Sequence, residues 1–383
     1  MSLTTLRVVL DQVGDPVPSG IGRYALELTR ALIETAPRGC DVAGIVASSP
    51  ASEYERIEQQ LPGLSNLHKS ALDRRQLAAA WQHGFTRLPG AGMVHAPSLF
   101  APLYRHERVQ SPGEQVVVTI HDAAAFTHPD SVPGRAAAFT RAMAKRAERY
   151  ADAIVVPTHA VADDLSHALD LGDRVRVIAG AVSPSLDPGP SRDARAAALT
   201  LPERYVLAVG GLDGISGIPS LVRAAIGGHA PEVPLLLVGV HDDELEALVR
   251  SMPDLDGPLD PGRVRALGVL DETDLALAYS RAAVVVVPAL SAGSGLVALE
   301  AMSLGAPVVH SDAPALLEMC SDAGLVVARD DTEGYPERLA EAVRSVLDDT
   351  TLAAALTVRG RDRAGAFSWR DSAEKTWQLH ADL

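Results

Sequence analysis

Cysteine is almost absent from this sequence of 383 residues, which contains only Cys40 and Cys320. Two cysteines so far apart in the chain argue against a disulfide framework and against a cysteine metal site. They are typical of a protein that resides in a reducing cytosol.

Positively charged residues are also relatively few. The chain has 34 lysines and arginines and 49 aspartates and glutamates, which gives a net charge of −15. A general nucleic-acid-binding protein must neutralise many phosphates with basic side chains. The charge balance therefore argues against nucleic acid as a partner.

Long apolar runs are missing as well. Stretches such as 282–287 are too short to span a bilayer. Residues 1–7 lead directly into a predicted strand, without the charged region and apolar segment of a signal peptide. We therefore expect a cytoplasmic protein.

The sequence does contain enough apolar residues, 47% of the chain, for two well-buried α/β cores of ordinary size. Strand-like and helical patterns alternate twice, on either side of the proline-rich stretch Ser183–Ser191, which indicates two parallel sheets covered by helices. The predicted strands are 6–10, 42–47, 94–96, 116–120, 154–157 and 175–178, then 205–209, 235–238, 264–267, 284–287, 307–310 and 324–327. The predicted domains are 1–185 and 186–363, followed by a terminal helix in 364–383.

The segment Pro288–Asp312 carries the clearest functional pattern, which is a strand end, a glycine turn, a short helix and a second strand. Gly293 and Gly295 free the backbone of the turn, and Leu296–Leu304 is apolar enough for a buried helix. A helix that starts after a glycine turn presents unpaired N–H groups and a positive dipole end, which suits a diphosphate. Glu300 is a polar residue within that apolar helix, so it needs a specific role.

This segment resembles the donor-binding signature of retaining glycosyltransferases of family 4, whose usual pattern is Glu-Gly-Phe-Gly-Leu-Pro-x-Leu-Glu-Ala-Met. In that family the second Glu, here Glu300, holds the ribose hydroxyls of the nucleotide. The first Glu, near the sugar, is replaced by Ala292, and the Phe by Ser294. The alternative is a buried strand–turn–helix unit in which Glu300 merely faces solvent.

The resemblance implies the GT-B fold, in which two doubly wound Rossmann-like α/β domains face a cleft and a C-terminal helix crosses back to the first domain. Ligands of such sheets bind beyond the carboxyl ends of the strands. The donor-binding residues that the resemblance implies are Gly20, Gly22, Gly210, Gly211, Gly239, Ser291, Gly293, Ser294, Gly295, Leu296 and Glu300.

The stretch Ser19–Tyr24, after the first strand, resembles the family loop that lies over the donor phosphates and the acceptor. Gly20 and Gly22 permit close backbone approach, and Arg23 puts a cation in the first helical turn. The resemblance assigns Arg23 and Tyr24 to the acceptor side. The alternative is a purely structural turn.

His121 and Asp122 end the fourth predicted strand, where the family has a histidine that meets the donor sugar. Polar residues that follow a strand and face a cleft are often functional, so both are candidate catalytic residues. The alternative is that His121 caps the strand and bonds to Asp122.

The stretch Tyr205–Leu221 aligns with a family pattern, Val-Gly-x-Leu-x-x-Arg-Lys-Asn-Leu, whose Arg and Lys clamp the donor diphosphate. Those two positions are Ile215 and Ser216 in this sequence. Each lost charged hydrogen bond costs about 1.5–3 kcal/mol unless another group compensates.

A basic surface is predicted on the helix Gly134–Tyr150, where Arg141, Lys145 and Arg149 recur at intervals of four. One interpretation is peripheral contact with anionic lipid or a lipid-linked acceptor at the inner face of the membrane. The other is a solvated helix face with Glu148 as a local ion-pair partner.

The resemblance as a whole implies transfer of a mannose-like hexose from a nucleotide-diphosphate sugar, with GDP-mannose favoured, to a glycan or lipid-linked acceptor in polysaccharide synthesis. It implies no metal and no further cofactor. The alternative is an inactive scaffold subunit that has lost donor binding and supports a paralogous glycosyltransferase, because the changes at 215, 216 and 292 all fall on the donor side.

Overall fold

The computed structural model describes residues 4–14, 19–85, 92–106, 113–227, 231–252, 260 and 262–383. The chain divides into two compact units, of which unit 1 is Met1–Gly180 with Ser368–Leu383 and unit 2 is Ala181–Phe367. The terminal segment thus groups with unit 1, and the break lies near the proline-rich stretch that the sequence pointed to.

Unit 1 contains a seven-stranded parallel sheet of order β3-β2-β1-β4-β5-β6-β7. Six of its strands correspond to predicted ones. The sequence analysis missed β3, a three-residue strand at the sheet edge, because so short a segment has no detectable periodicity. The strands are β1 Thr4–Val9, β2 Cys40–Val46, β3 Leu67–Lys69, β4 Met93–Ala96, β5 Val116–Thr119, β6 Ala153–Val156 and β7 Val175–Val177.

The helices of this part of unit 1 are α1 Gly20–Glu34, α2 Ala51–Gln60, α3 Arg74–His83, α4 Ala124–Thr127, α5 Gly134–Tyr150 and α6 His159–Ser166. Helix α5 has the predicted bounds. Helix α1 begins at Gly20, three residues before Arg23, because the Ser19 hydroxyl caps its first turn by accepting the Gly22 N–H at 3.1 Å.

Unit 2 contains a six-stranded parallel sheet of order β10-β9-β8-β11-β12-β13, and all six strands were predicted. Its core is built from valine- and leucine-rich strands covered by helices. The strands are β8 Val206–Val209, β9 Leu235–Val238, β10 Val264–Gly268, β11 Val284–Val287, β12 Val308–Ser311 and β13 Leu325–Val327. The helices are α7 Arg192–Ala198, α8 Ile218–Ile226, α9 Asp242–Arg250, α10 Glu272–Arg281, α11 Leu296–Ser303, α12 Pro314–Cys320, α13 Tyr335–Asp348 and α14 Thr350–Gly365.

Each sheet reverses its winding direction at one place, which is between β1 and β4 in unit 1 and between β8 and β11 in unit 2. The neighbouring strands there are parallel, so their carboxyl ends lie at the same edge. Ligands of doubly wound sheets bind at such a switch point. These two edges therefore define where the predicted site residues have to be sought.

The last helix, α15 Trp369–Asp382, packs on α1 within unit 1. The Trp377 indole N–H donates to the Leu32 carbonyl at 3.1 Å, and the Ser372 hydroxyl donates to the Ala179 carbonyl at 2.6 Å. The C-terminal helix thus returns to the first domain, as the resemblance implied. No helix in the described ranges is both long and apolar enough to cross a bilayer.

A buried histidine pair joins α15 to the sheet of unit 1. His95 on β4 and His380 on α15 are both fully or almost fully buried, and His95 Nδ1 lies 3.4 Å from His380 Nε2. Burial lowers the pKa of His95 to about 4. Burial, reinforced by His95, lowers the pKa of His380 well below its ordinary value. Both rings are therefore neutral in the folded protein near pH 7.

We expect unit 1 to lose stability as the pH falls through the range from about 6.5 to about 4. Above pH 6.5 both histidines are neutral in the folded and in the unfolded chain. Below pH 6.5 the unfolded chain binds protons that the buried histidines of the folded chain do not. This lowers the free energy of unfolding by about 3 kcal/mol for His95 alone. Denaturant unfolding measured between pH 7.5 and 4.5 checks this. The double variant His95→Leu with His380→Leu is expected to show a shallower pH dependence, and an unchanged slope would contradict the assignment.

Candidate functional site

The carboxyl ends of β8 and β11 bring two predicted donor-binding segments together in unit 2. The loop 210–217 follows β8, and the turn Ser291–Gly295 follows β11 after three residues. The Leu290 N–H donates to the Ile215 carbonyl at 2.7 Å, and the Ser291 N–H approaches the same oxygen at 3.4 Å. The position that the family fills with a diphosphate cation therefore lies directly against the entrance to the glycine turn.

Glycine is required at two points of this arrangement. Gly217 has a φ of +67°, and a Cβ there would lie 1.8 Å from the Pro288 carbonyl oxygen. Gly295 has a φ of +60°, and its Cβ would lie 2.9 Å from Met319 Cβ. Close packing and left-handed backbone thus fix both the loop and the turn.

Gly239 belongs to the same edge, since it follows β9, the neighbour of β8. Its N–H donates to the Gly268 carbonyl at 2.7 Å, and a Cβ on it would lie 3.0 Å from the Gly210 carbonyl oxygen. Gly211, the next residue after Gly210, is exposed. The structure therefore gathers all the donor-side glycines predicted in unit 2 at one sheet edge.

Helix α11 begins at Leu296, directly after Gly295, and ends before Gly305 much as predicted. Its first backbone N–H groups have no partner within their own helix, and its dipole presents a positive end to the turn. This is the local geometry that the sequence pattern predicted for a diphosphate.

Glu300 lies about one turn into α11 and is only 5% exposed. The Tyr279 hydroxyl on α10 donates to Glu300 Oε2 at 3.1 Å. The interpretation of Glu300 as a solvent-facing residue is therefore wrong. A carboxylate so well buried is retained at a desolvation cost, which its hydrogen bonds must offset.

The predicted residues of unit 1 gather at its own switch point. Gly22 is buried at the start of α1, whereas Gly20 is exposed and a Cβ on it would meet nothing within 4 Å. Arg23 is half-buried. Tyr24 is buried, and burial raises its pKa to about 12, so that its hydroxyl stays protonated. Tyr24 therefore contributes packing at this edge in addition to any contact with an acceptor.

His121 is held by Tyr24 and by the backbone after β4. Its ring lies edge-on to Tyr24 with the centroids 4.7 Å apart, and Nε2 lies 2.7 Å from the Pro97 carbonyl. A carbonyl only accepts, so Nε2 carries the proton and donates it. Burial lowers the pKa of His121, which leaves a neutral ring with Nδ1 as an acceptor.

Asp122, in contrast, is exposed, and its Oδ1 accepts the Ala124 N–H at 2.9 Å at the start of α4. The hydrogen bond from His121 Nε2 thus goes to the Pro97 carbonyl rather than to Asp122. The catalytic roles of both residues stay predictions.

Three of the cations on α5 donate to backbone carbonyls of unit 1. Arg141 donates to Ala125 at 3.0 Å, Lys145 to Ala168 at 3.0 Å, and Arg146 to Leu103 at 2.5 Å. Lys145 also pairs with Glu148, the predicted local partner. These contacts use part of the basic face for tertiary structure, and membrane contact stays a prediction.

Within the described ranges, no three His, Cys, Asp or Glu side chains are grouped so that they could hold a metal ion. The polar groups at the edge of the sheet in unit 2 include backbone amides, hydroxyls and the carboxylate of Glu300. Groups of these kinds can form hydrogen bonds to the phosphates and hydroxyls of a nucleotide sugar.

Sequence reasoning missed two contributors to the unit 2 edge, Arg329 and Asp312. Asp312 follows β12 and Arg329 follows β13, and their side chains pair with Arg329 Nε 2.6 Å from Asp312 Oδ1. The missed signal was their position close after the ends of two parallel strands, because the carboxyl ends of parallel strands lie at one edge of the sheet.

Two family models match the chain, one in each half. "Glycosyltransferase Family 4" matches residues 18–186, and "Glycosyl transferases group 1" matches residues 203–349. The two matches thus cover the regions from which the unit 1 and unit 2 sites are built.

Among curated proteins, the chain is 27% identical over 391 aligned positions to O-antigen chain mannosyltransferase B of Escherichia coli, covering 94% of each. It is 32% identical to α-maltose-1-phosphate synthase of Mycolicibacterium smegmatis, over 60% of this chain and 63% of that protein. Among solved structures, Anabaena HepE in complex with UDP-glucose superposes with a TM-score of 0.70 at 17% identity, covering 99% of this chain and all of that one. The fold is the GT-B fold that the resemblance implied.

Proposed function

We propose that this chain, which belongs to the glycosyltransferases of the GT-B fold, transfers a mannose-like hexose from a nucleotide-diphosphate sugar to a glycan or lipid-linked acceptor with retention. The names of relatives support a hexosyl donor, since one is a mannosyltransferase and a structural neighbour was solved with UDP-glucose. No metal takes part in this proposal.

One observation carries the proposal: Glu300 is buried beside the start of α11 and is held there by Tyr279. A buried carboxylate that follows a glycine turn by about one helical turn is costly for folding alone. It suits the ribose hydroxyls of a nucleotide, which would donate to the carboxylate in a charge-assisted pair. The same resemblance assigns that role to Glu300.

The chemistry requires little covalent participation by the protein. The N-terminus of α11 and the amides of the turn Ser291–Gly295 would bind the diphosphate and stabilise the charge that develops as it departs. Such stabilisation is effective because the dipoles are oriented before the reaction. With Ile215 and Ser216 neutral, backbone groups carry more of this task here than in relatives with both cations.

The proposal also uses the edge of unit 1. His121 offers a neutral Nδ1 that would accept a hydrogen bond from a hydroxyl group of the donor sugar. On the acceptor side, Arg23, which is next to Tyr24 in the sequence, would bind an anionic group of the acceptor. These contacts orient hydroxyl groups rather than transfer a proton at neutral pH, since the pKa of His121 is lowered.

Calorimetric titration with GDP, UDP, ADP, dTDP, GDP-mannose and UDP-glucose is the direct test. We expect one nucleotide class to bind with a dissociation constant between micromolar and sub-millimolar, because the site keeps its amides and Glu300 while lacking two charged contacts worth about 1.5–3 kcal/mol each. Absence of binding by all six would contradict donor use. It would favour a scaffold subunit that supports an active glycosyltransferase.

A further inference from the structure

Three consecutive backbone carbonyls lead from β11 into the glycine turn, and each accepts a hydrogen bond from a side chain. The Pro288 carbonyl accepts from the Tyr335 hydroxyl at 2.9 Å, and the Ala289 carbonyl accepts from the Ser311 hydroxyl at 2.5 Å. The third, at Leu290, accepts from the Arg329 guanidinium. Tyr335 is the first residue of α13, Ser311 is the last residue of β12, and Arg329 is the second residue after β13.

Arg329 makes the most connections of the three donors. Its Nε donates to Asp312 Oδ1 at 2.6 Å, and its backbone N–H donates to the same oxygen at 3.1 Å. The guanidinium thus ties the ends of β11, β12 and β13 to one another. A planar fork with several donors holds such a geometry, whereas a lysine ammonium does not.

Leu290 connects Arg329 to the loop 210–217, which we call the donor loop. Its carbonyl is held by Arg329, while its N–H donates to the Ile215 carbonyl at 2.7 Å. Leu290 is therefore the single residue between Arg329 and Ile215, which occupies the position of the arginine that clamps the diphosphate in the family pattern. The turn Ser291–Gly295 begins at the next residue.

The ion pair is partly shielded from solvent, since the Arg329 side chain is 28% exposed and that of Asp312 is 34% exposed. An exposed ion pair contributes little to stability, so a loss of stability alone would not explain a large effect of its removal. The effect of the Arg329–Asp312 pair that we consider is therefore on the position of the backbone at Leu290, whose carbonyl Arg329 holds.

We propose that Arg329 is a positioning residue for donor binding, which fixes the amides of the turn Ser291–Gly295 for the diphosphate of a nucleotide sugar. The role rests on the proposed function. It acts through Leu290 rather than by contact with the donor, in a chain that lacks cations at positions 215 and 216.

Arg338 provides a matched control. It lies in the same unit, is 31% exposed, and donates through the same kind of fork, with Nε 3.0 Å from the Ala328 carbonyl and Nη2 2.7 Å from the Asp331 carbonyl. None of its hydrogen bonds reaches residues 288–295.

The variants Arg329→Gln, Arg329→Lys and Arg338→Gln are compared with the wild type by titration with the nucleoside diphosphate that the wild type binds best, and by steady-state kinetics. We expect Arg329→Gln to raise the dissociation constant and the donor KM at least tenfold, with the acceptor KM changed less than twofold. Arg329→Lys keeps the charge but loses the fork, and it is expected to recover only part of the affinity. Arg338→Gln is expected to match the wild type.

Hydrogen–deuterium exchange of the amides in 289–296 provides a readout independent of catalysis, and faster exchange is expected in Arg329→Gln only. Donor binding and exchange equal to those of Arg338→Gln would overturn the positioning role while the proposed function stood. Full recovery by Arg329→Lys would also overturn it, because charge alone would then suffice. A wild type that binds no nucleoside diphosphate would refute the proposed function and, with it, the role of Arg329 in donor binding.

Discussion

Replacing Glu300 by glutamine is expected to weaken donor binding on the order of 100-fold. The ribose hydroxyls would lose charge-assisted hydrogen bonds worth about 3 kcal/mol in total, and each 1.4 kcal/mol is a factor of ten in affinity. Glutamine has nearly the same shape and still accepts from Tyr279, so the fold around α11 is retained. Calorimetric titration with the preferred nucleoside diphosphate measures the effect.

Tyr279→Phe is the companion variant for this prediction. It removes the hydroxyl that donates to Glu300 Oε2 at 3.1 Å and keeps the buried ring. We expect a loss of about tenfold or less, because the carboxylate remains but is less firmly oriented. Wild-type affinity in Glu300→Gln, with wild-type thermal stability, would exclude Glu300 from the donor site.

Replacing Gly217 by alanine is expected to disrupt the junction between the donor loop and β11. A left-handed φ of +67° costs a residue with a Cβ about 1 kcal/mol or more, and the Cβ would lie 1.8 Å from the Pro288 carbonyl oxygen. That carbonyl also accepts from Tyr335, so it cannot move away without breaking a buried hydrogen bond. Strain and overpacking together give a loss of about 3–5 kcal/mol.

For a unit of this size, such a loss corresponds to a fall in Tm on the order of 10 °C. Donor affinity is expected to fall as well, because opening the junction breaks the bond from the Leu290 N–H to the Ile215 carbonyl. Thermal unfolding and calorimetric titration measure the two effects.

Gly189→Ala is the matched control for that variant. Gly189 lies in the same unit with a φ of +62°, and the nearest heavy atom to an added Cβ is Thr273 Cγ2 at 3.7 Å. It therefore introduces the backbone strain without the clash, and a loss of about 1 kcal/mol with unchanged donor binding is expected. If the two alanine variants behave alike, the contact with Pro288 does not constrain the donor loop.

Much of the fold could be predicted from local patterns. The helix Gly134–Tyr150 and all six strands of unit 2 correspond to predictions, because a valine run or a 3.6-residue periodicity is a property of neighbouring residues. The edge strand Leu67–Lys69 could not be recognised in this way. Its pairing with β2 depends on residues more than twenty positions earlier in the chain.

The candidate site was predicted in part for the same reason. The turn Ser291–Gly295 and Glu300 form one continuous segment, so their spacing is visible in the sequence. Tyr279 and Arg329 belong to other elements, and nothing in the spacing around them indicates that one reaches Glu300 and the other Leu290. Because Arg329 is far from Ile215 in the sequence, the residues around Ile215 do not indicate which side chain holds Leu290 at the end of β11.

The sequence by itself determined the fold class, the glycine turns and the positions where cations of the family pattern are missing, since these depend on residue type and local spacing. Only the tertiary structure decided that Glu300 is buried against Tyr279, that His95 meets His380, and that the carbonyl of Leu290 is held by a residue 39 positions away. The physical reason is that a parallel sheet brings the carboxyl ends of strands from distant parts of the chain to one edge. Side-chain contacts at that edge depend on strand order and register, which no local pattern specifies.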